Sequence, residues 1–293
     1  MFELIGIPPQ ALFGQLLLGL INGAFYAMLS LGLAVIFGML NVINFTHGAQ
    51  YMMGAFAAWL MLGILDVPFW AALVLAPLVV GLFGVVLEKL FLKRIYHLDH
   101  LYGFLLTFGL ALVIEGMFQW KWGSTGSSYP TPIPGGYNLG FMFLPTYRAF
   151  VVVAALVICL ATWYGIERTK LGAYLRAATE NPTLVRAFGI NVPRLITLTY
   201  GLGVGLAALA GVLAAPIQQV SPLMGTNLVL VVFAVVVIGG MGSIMGSIVT
   251  GFGLGLIEGL TKVFYPPASN TVIFVVMAIV LLVKPAGLFG QTK

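Results

Sequence analysis

Charge is what this sequence lacks. Its 293 residues include 13 Lys or Arg and 8 Asp or Glu, 7% of the chain, where a soluble domain carries about a quarter. No charged side chain occurs from Leu4 to Leu65, apart from the titratable His47, and none from Leu195 to Ile257. Apolar stretches of that length exclude a soluble globular protein. Cysteine is nearly absent too: the lone Cys159, in Val-Ile-Cys-Leu-Ala, rules out an intrachain disulfide and reads as packing filler. There is no G-x-x-x-x-G-K-[ST] and no Gly-Lys dipeptide, so the chain has no loop of its own to cradle nucleotide phosphates. Alternation of apolar and polar positions is missing from runs such as Val151–Leu160 and Val229–Ile238, which excludes a β-barrel. The start, Met-Phe-Glu-Leu-Ile, lacks the basic segment of a cleaved signal peptide, so none is expected.

What is present is hydrocarbon and glycine. Hydrophobic residues make up 61% and mean hydropathy is +1.09. Crossing ~30 Å of lipid takes roughly 20 apolar residues per helix. The sequence therefore predicts an all-α polytopic membrane protein, a bundle of about 8–10 transmembrane helices, some broken, forming one domain over 1–293. Spans are expected near 11–38, 42–65, 69–92, 102–121, 147–165, 195–215, 228–240, 244–262 and 271–284, the first either continuous or interrupted. The net charge of +5 then reports orientation rather than nucleic-acid binding. Ten of the 13 basic residues fall on one side: Lys89, Lys93 and Arg94; Arg168, Lys170, Arg176, Arg186 and Arg194; Lys284 and Lys293. By the positive-inside rule that side is cytoplasmic, and the C-terminus with it. The loop 123–146 is polar, turn-rich and charge-free, with Trp120 and Trp122 at its start, and suits the outer face. Glycines spaced by four, Gly251, Gly255 and Gly259 above all, stripe one helix face. In lipid such small residues let backbones approach, so the stripe is expected to pack helices.

Two stretches carry more than composition. The polar cluster Asn41, Asn44, Thr46 and His47, with Asn22 and Tyr26 upstream, lies in charge-free sequence. Polar groups there must be satisfied internally, so the cluster reads as a break between two half-helices, lining a cavity or buried in protein. His47 has no nearby His, Cys or carboxylate to complete a metal set, so no metal is expected. The second stretch, about 166–194, concentrates charge. In it Asn181-Pro182 marks a helix start, with Asn as cap and Pro at the first helical position, and Gly189 marks its end. This water-side loop thus holds a short surface helix, expected over 177–190. Glu258 precedes Lys262 by four residues, a favourable order on one helix.

The chain resembles the permeases of branched-chain amino acid ABC importers, in particular the LivH-type inner-membrane subunit. The resemblance rests on Ile43-Asn44-Phe45-Thr46-His47-Gly48, on Arg176-Ala177 with Glu180-Asn181 and Gly189-Ile190, and on Ile238-Gly239-Gly240-Met241-Gly242-Ser243-Ile244-Met245-Gly246. Thr46 and Val185 stand where such permeases often carry Ala. The resemblance implies a second homologous permease subunit, two cytoplasmic ATPases that bind the ATP, a periplasmic binding protein, and a multi-pass location in the bacterial inner membrane. No cofactor is implied for this chain, nor any catalytic residue. It also implies that Arg176, Ala177, Glu180, Asn181, Pro182, Arg186, Gly189 and Ile190 form the part that couples to the ATPase. Asn22, Tyr26, Asn41, Asn44, Thr46 and His47 are the candidates for lining the substrate path.

Two other readings remain at this point. Relatives of the same family carry urea, amides or aromatic acids. A stand-alone secondary transporter or channel would also be a helical bundle, although ion-coupled carriers place carboxylates or His near mid-membrane and these spans are almost devoid of them. An intramembrane hydrolase would need a nucleophile with a base in the apolar zone, and His47 has no well-placed Ser in sequence.

Overall fold

The computed structural model describes residues 8–40 and 44–290. Its architecture is helical: seven helices are long and apolar enough to span a membrane, and two shorter apolar helices accompany them. The long ones are α1 (Pro9–Leu40), α2 (Thr46–Leu65), α3 (Phe69–Leu90), α4 (His100–Trp122), α5 (Thr146–Glu167), α8 (Val192–Ala214) and α10 (Ile244–Phe264). The shorter apolar ones are α9 (Thr226–Gly239) and α11 (Val272–Val283). Between α5 and α8 lie α6 (Lys170–Glu180) and α7 (Pro182–Ala187). The only sheet among the described residues is a hairpin in the 123–146 loop, β1 (Gly136–Asn138) antiparallel to β2 (Phe143–Pro145).

Helix α1 is the centre. It runs 32 residues without interruption, close to 48 Å at 1.5 Å per residue, and 83% of its most apolar stretch is buried. Its tightest partner is α10. A β-carbon at Gly255 would lie 2.4 Å from the Gly19 carbonyl oxygen, and one at Gly259 2.4 Å from that of Gln15. Gly251, one turn away, faces Ala27. Absent side chains thus bring the two backbones together, which dispersion rewards where lipid supplies no hydrophobic drive.

The loops sort into two ends. The end of α3 meets the start of α8 through Glu88 and Thr197, and Gly38, Glu167, Arg176 and Gly242 line one small cavity. These carry Lys89, Lys93, Arg94 and the α6–α7 pair, so this is the basic end. At the opposite end, Ser127 pairs with Val220, and Tyr129 packs on Phe69.

Two irregular segments enter the bundle rather than capping it. The Phe45 amide bonds Thr107, seven residues into α4 and so ~10 Å from its basic end. The segment 215–225 turns back in until Gly225 meets Gly48, where a β-carbon would come within 1.9 Å of the Gly48 oxygen. Helices α2 and α9 therefore both begin inside the protein and touch at their first turns. The expected pair of half-helices takes a different form here: α1 is unbroken from Pro9 to Leu40, and Asn44 and Phe45 lead into a second span, α2. Irregular backbone at membrane depth is tolerated because protein encloses it.

Candidate functional site

The joint before α2 is a buried polar network. Thr46 Oγ1 donates to Asn44 Oδ1, and Asn44 Nδ2 donates to Gln50 Oε1 at 3.2 Å. Gln50 Nε2 donates to Thr46 Oγ1 at 3.0 Å and to the Tyr200 hydroxyl at 3.2 Å. His47 Nε2 donates to the Leu29 carbonyl at 2.9 Å, its ring lying over Gly32, which leaves room for it. Asn44, Thr46, His47 and Gln50 are all buried. These side chains tie α1, α2 and α8. Asn41 lies outside the described residues.

Tyr26 sits elsewhere, buried at the wall of an open notch. Its hydroxyl donates to Glu258 at 2.7 Å, and Lys262 closes the ion pair from the next turn of α10, as the spacing predicts. Thr226, Asn227 and Asn270 join Tyr26 and Glu258 around a cavity of about 500 Å³ between α9, α10 and α11. Thr226 also donates to Glu115 at 2.8 Å, seven residues before the end of α4, which places the notch in the outer half of the bundle. Asn22 lies half-buried one turn before Tyr26 on the same face of α1. Sequence alone did not single out Thr226, Asn227 and Asn270: each is an isolated polar residue, and what brings them together is the re-entry of 215–225.

The third element is the α6–α7 pair at the basic end. Asn181 caps α7 by accepting from the Leu184 amide at 2.9 Å, with Pro182 at the first turn. Gly189 follows at φ 79°. The single helix expected over 177–190 is in fact two. Arg176, Ala177 and Glu180 belong to α6, Arg186 to α7, and Gly189 and Ile190 follow α7. Proline disfavours helical backbone in the residue before it, and Asn181 is accordingly at φ −143°, ψ 85°. Ala178, Val185 and Val192, the last at the start of α8, form a small apolar cluster with Ile190 beside them, while Leu175 of α6 reaches the main core. Arg176 anchors it to the bundle through Glu167 at 3.2 Å and the Ile166 carbonyl at 3.3 Å. Outward it shows apolar surface, Leu184 and above all Phe188, 77% exposed. An exposed aromatic ring beside a capped helix is what a docking surface needs. Phe188 was hidden in the sequence because one aromatic in a charged stretch reads as local packing.

A helical bundle that encloses irregular backbone at membrane depth, and holds a capped helix pair outside its basic end, has the build of a membrane transport subunit. Residues 15–282 match the family described as branched-chain amino acid transport system, permease component, and the chain belongs to it. It is 28% identical to the high-affinity branched-chain amino acid transport system permease protein BraD of Pseudomonas aeruginosa, over 95% of this chain and 96% of that one. It is equally 28% identical, with the same coverage, to LivH of Escherichia coli. A probable LivH of Methanocaldococcus jannaschii is 26% identical over 90% of this chain and 88% of its own length.

Proposed function

We propose that this chain is a permease subunit of an ABC importer, passing branched-chain or related hydrophobic amino acids from a periplasmic binding protein into the cytoplasm. ATP is hydrolysed on two partner ATPases, and the chain works beside a second, homologous permease subunit in the bacterial inner membrane, its basic end and C-terminus cytoplasmic. The observation that carries this is the α6–α7 pair. Its cap and its exposed Phe188 let an outside protein grip it, and its buried face ties it to the bundle. Its Arg176–Glu167 tie lets that grip reach α5 and, across the shared cavity, the basic ends of α1 and α10. A linker needs none of these.

In this reading the route runs past the α9–α11 notch, where Tyr26, Glu258, Asn227 and Asn270 supply a few polar contacts on an otherwise apolar wall, as an aliphatic amino acid requires. Asn22 lies on the approach, and the Asn44–Thr46–His47 network fixes the joint behind it. The second permease subunit would close the open side of the notch. The names of the similar proteins support the substrate class. Extraction of the intact complex from its native membrane tests the assignment: ATPase subunits should co-purify with the chain. A chain that purifies alone, or only with copies of itself, would instead indicate a stand-alone carrier.

A further inference from the structure

A second surface of the bundle is built for a different occupant. Between α3 and α8 runs an apolar groove of about 440 Å³, floored where Gly81, Gly201 and Gly205 let the two helices come together. It continues, through shared walls at Val85 and Leu198, into a pocket of about 320 Å³ at the basic end, ringed by Lys89, Lys93 and Arg194. From Pro77 to Lys89 the two together extend ~18 Å along α3. All three cations are exposed, and among the described residues none has an ion-pair partner. The carboxylate nearest in sequence, Glu88, is buried and turned inward, accepting from Thr197 at 2.8 Å and from Tyr96 at 2.9 Å. Burial first, and then that carboxylate, holds the Tyr96 hydroxyl above its ordinary range, so it stays a donor to Glu88.

We propose that this groove and pocket hold one anionic glycerophospholipid, an acyl chain along the glycine floor and the phosphate among Lys89, Lys93 and Arg194. Shape and charge both favour it. The groove and pocket together are long, ~18 Å along α3, and a methylene chain can follow that whole length; against a partner helix, charge decides. A partner helix would bring apolar surface to three unpaired cations, whereas a phosphate at the membrane surface completes them. Arg194 supplies a forked donor set and the two lysines compact charges.

The test uses the full chain, extracted in mild detergent with the subunits that accompany it. Retention of phosphatidylglycerol is compared by native mass spectrometry with that of phosphatidylcholine of the same acyl chains. One phosphatidylglycerol per chain is expected, preferred on the order of tenfold. The triple variant K89Q/K93Q/R194Q should abolish the preference, and L202W, which fills the groove, should weaken both lipids. R94Q/K284Q, removing two basic-end charges outside the pocket, should leave the preference intact. Equal retention of the two lipids by the unaltered chain overturns the proposal. So does a preference that survives the triple variant, or a Leu202→Trp protein that still binds as the unaltered chain does. A disulfide or cross-link from a cysteine at Leu82 to another subunit would show that protein covers the groove and would overturn it equally.

Discussion

A β-carbon at Gly255 would sit 2.4 Å from both the Gly19 oxygen and the Gly23 Cα, and backbone cannot move aside as a flexible side chain can. Gly255→Leu should therefore part α1 from α10 and cost at least ~1–3 kcal/mol. The check is the thermal transition of the purified complex, which should fall together with its yield; an unchanged transition would mean the helices meet elsewhere. Glu258→Gln tests the notch. The amide still accepts from Tyr26 but leaves Lys262 without its counter-charge, a change at the rim of a cavity rather than in packed core. Substrate uptake should drop severalfold while the thermal transition moves little, and uptake at the unaltered rate would remove the notch from the route. The same residues show what the sequence discloses. The Glu258–Lys262 pair and the Gly251/Gly255/Gly259 face follow from spacing along one helix. Their partners Tyr26 and Gly19 lie more than 200 residues away in sequence, and no periodicity points to them.

At the scale of elements, the long apolar runs made every span legible, because ~30 Å of lipid demands them. Two things were not. The sequence does not separate α6 from α7, since the buried face of α6 consists of Gly172, Leu175 and Ala178, one large apolar residue and two small ones that leave a faint stripe among charges. The re-entry of 215–225 was also unreadable, because its depth is set by contact with Gly48 rather than by its own composition. The cap of α7 was legible, and it yields a prediction. At φ 79° Gly189 has open space around it, so Gly189→Val meets strain in the backbone and not a clash. The cost should be on the order of 1 kcal/mol, spent in redirecting the chain between α7 and α8. The spans should stay intact, as judged by protein level and thermal transition. A lowered transition comparable to that of Gly255→Leu would show that the turn after α7 is instead part of the bundle's core.

For the whole molecule, orientation and coupling stand or fall together. With Cys159 buried, single cysteines placed at Arg176 and Ser128, both exposed, report the two ends in intact cells. An impermeant thiol reagent should modify the one at Ser128 and spare the one at Arg176; modification of Arg176→Cys from outside would reverse the orientation. The most direct test of the central claim is coupled activity in reconstituted vesicles holding the complete complex and its binding protein, with Phe188→Ala as the variant. Phe188 is 77% exposed, so its truncation should change stability by no more than ~0.5 kcal/mol. Buried against an ATPase, it would act as an anchor worth ~2 kcal/mol or more. Amino-acid uptake and binding-protein-stimulated ATP hydrolysis should then fall together, on the order of tenfold or more. Unaltered rates of both, in a variant that assembles normally, would mean that the α6–α7 pair is a basic linker and that force enters the bundle elsewhere.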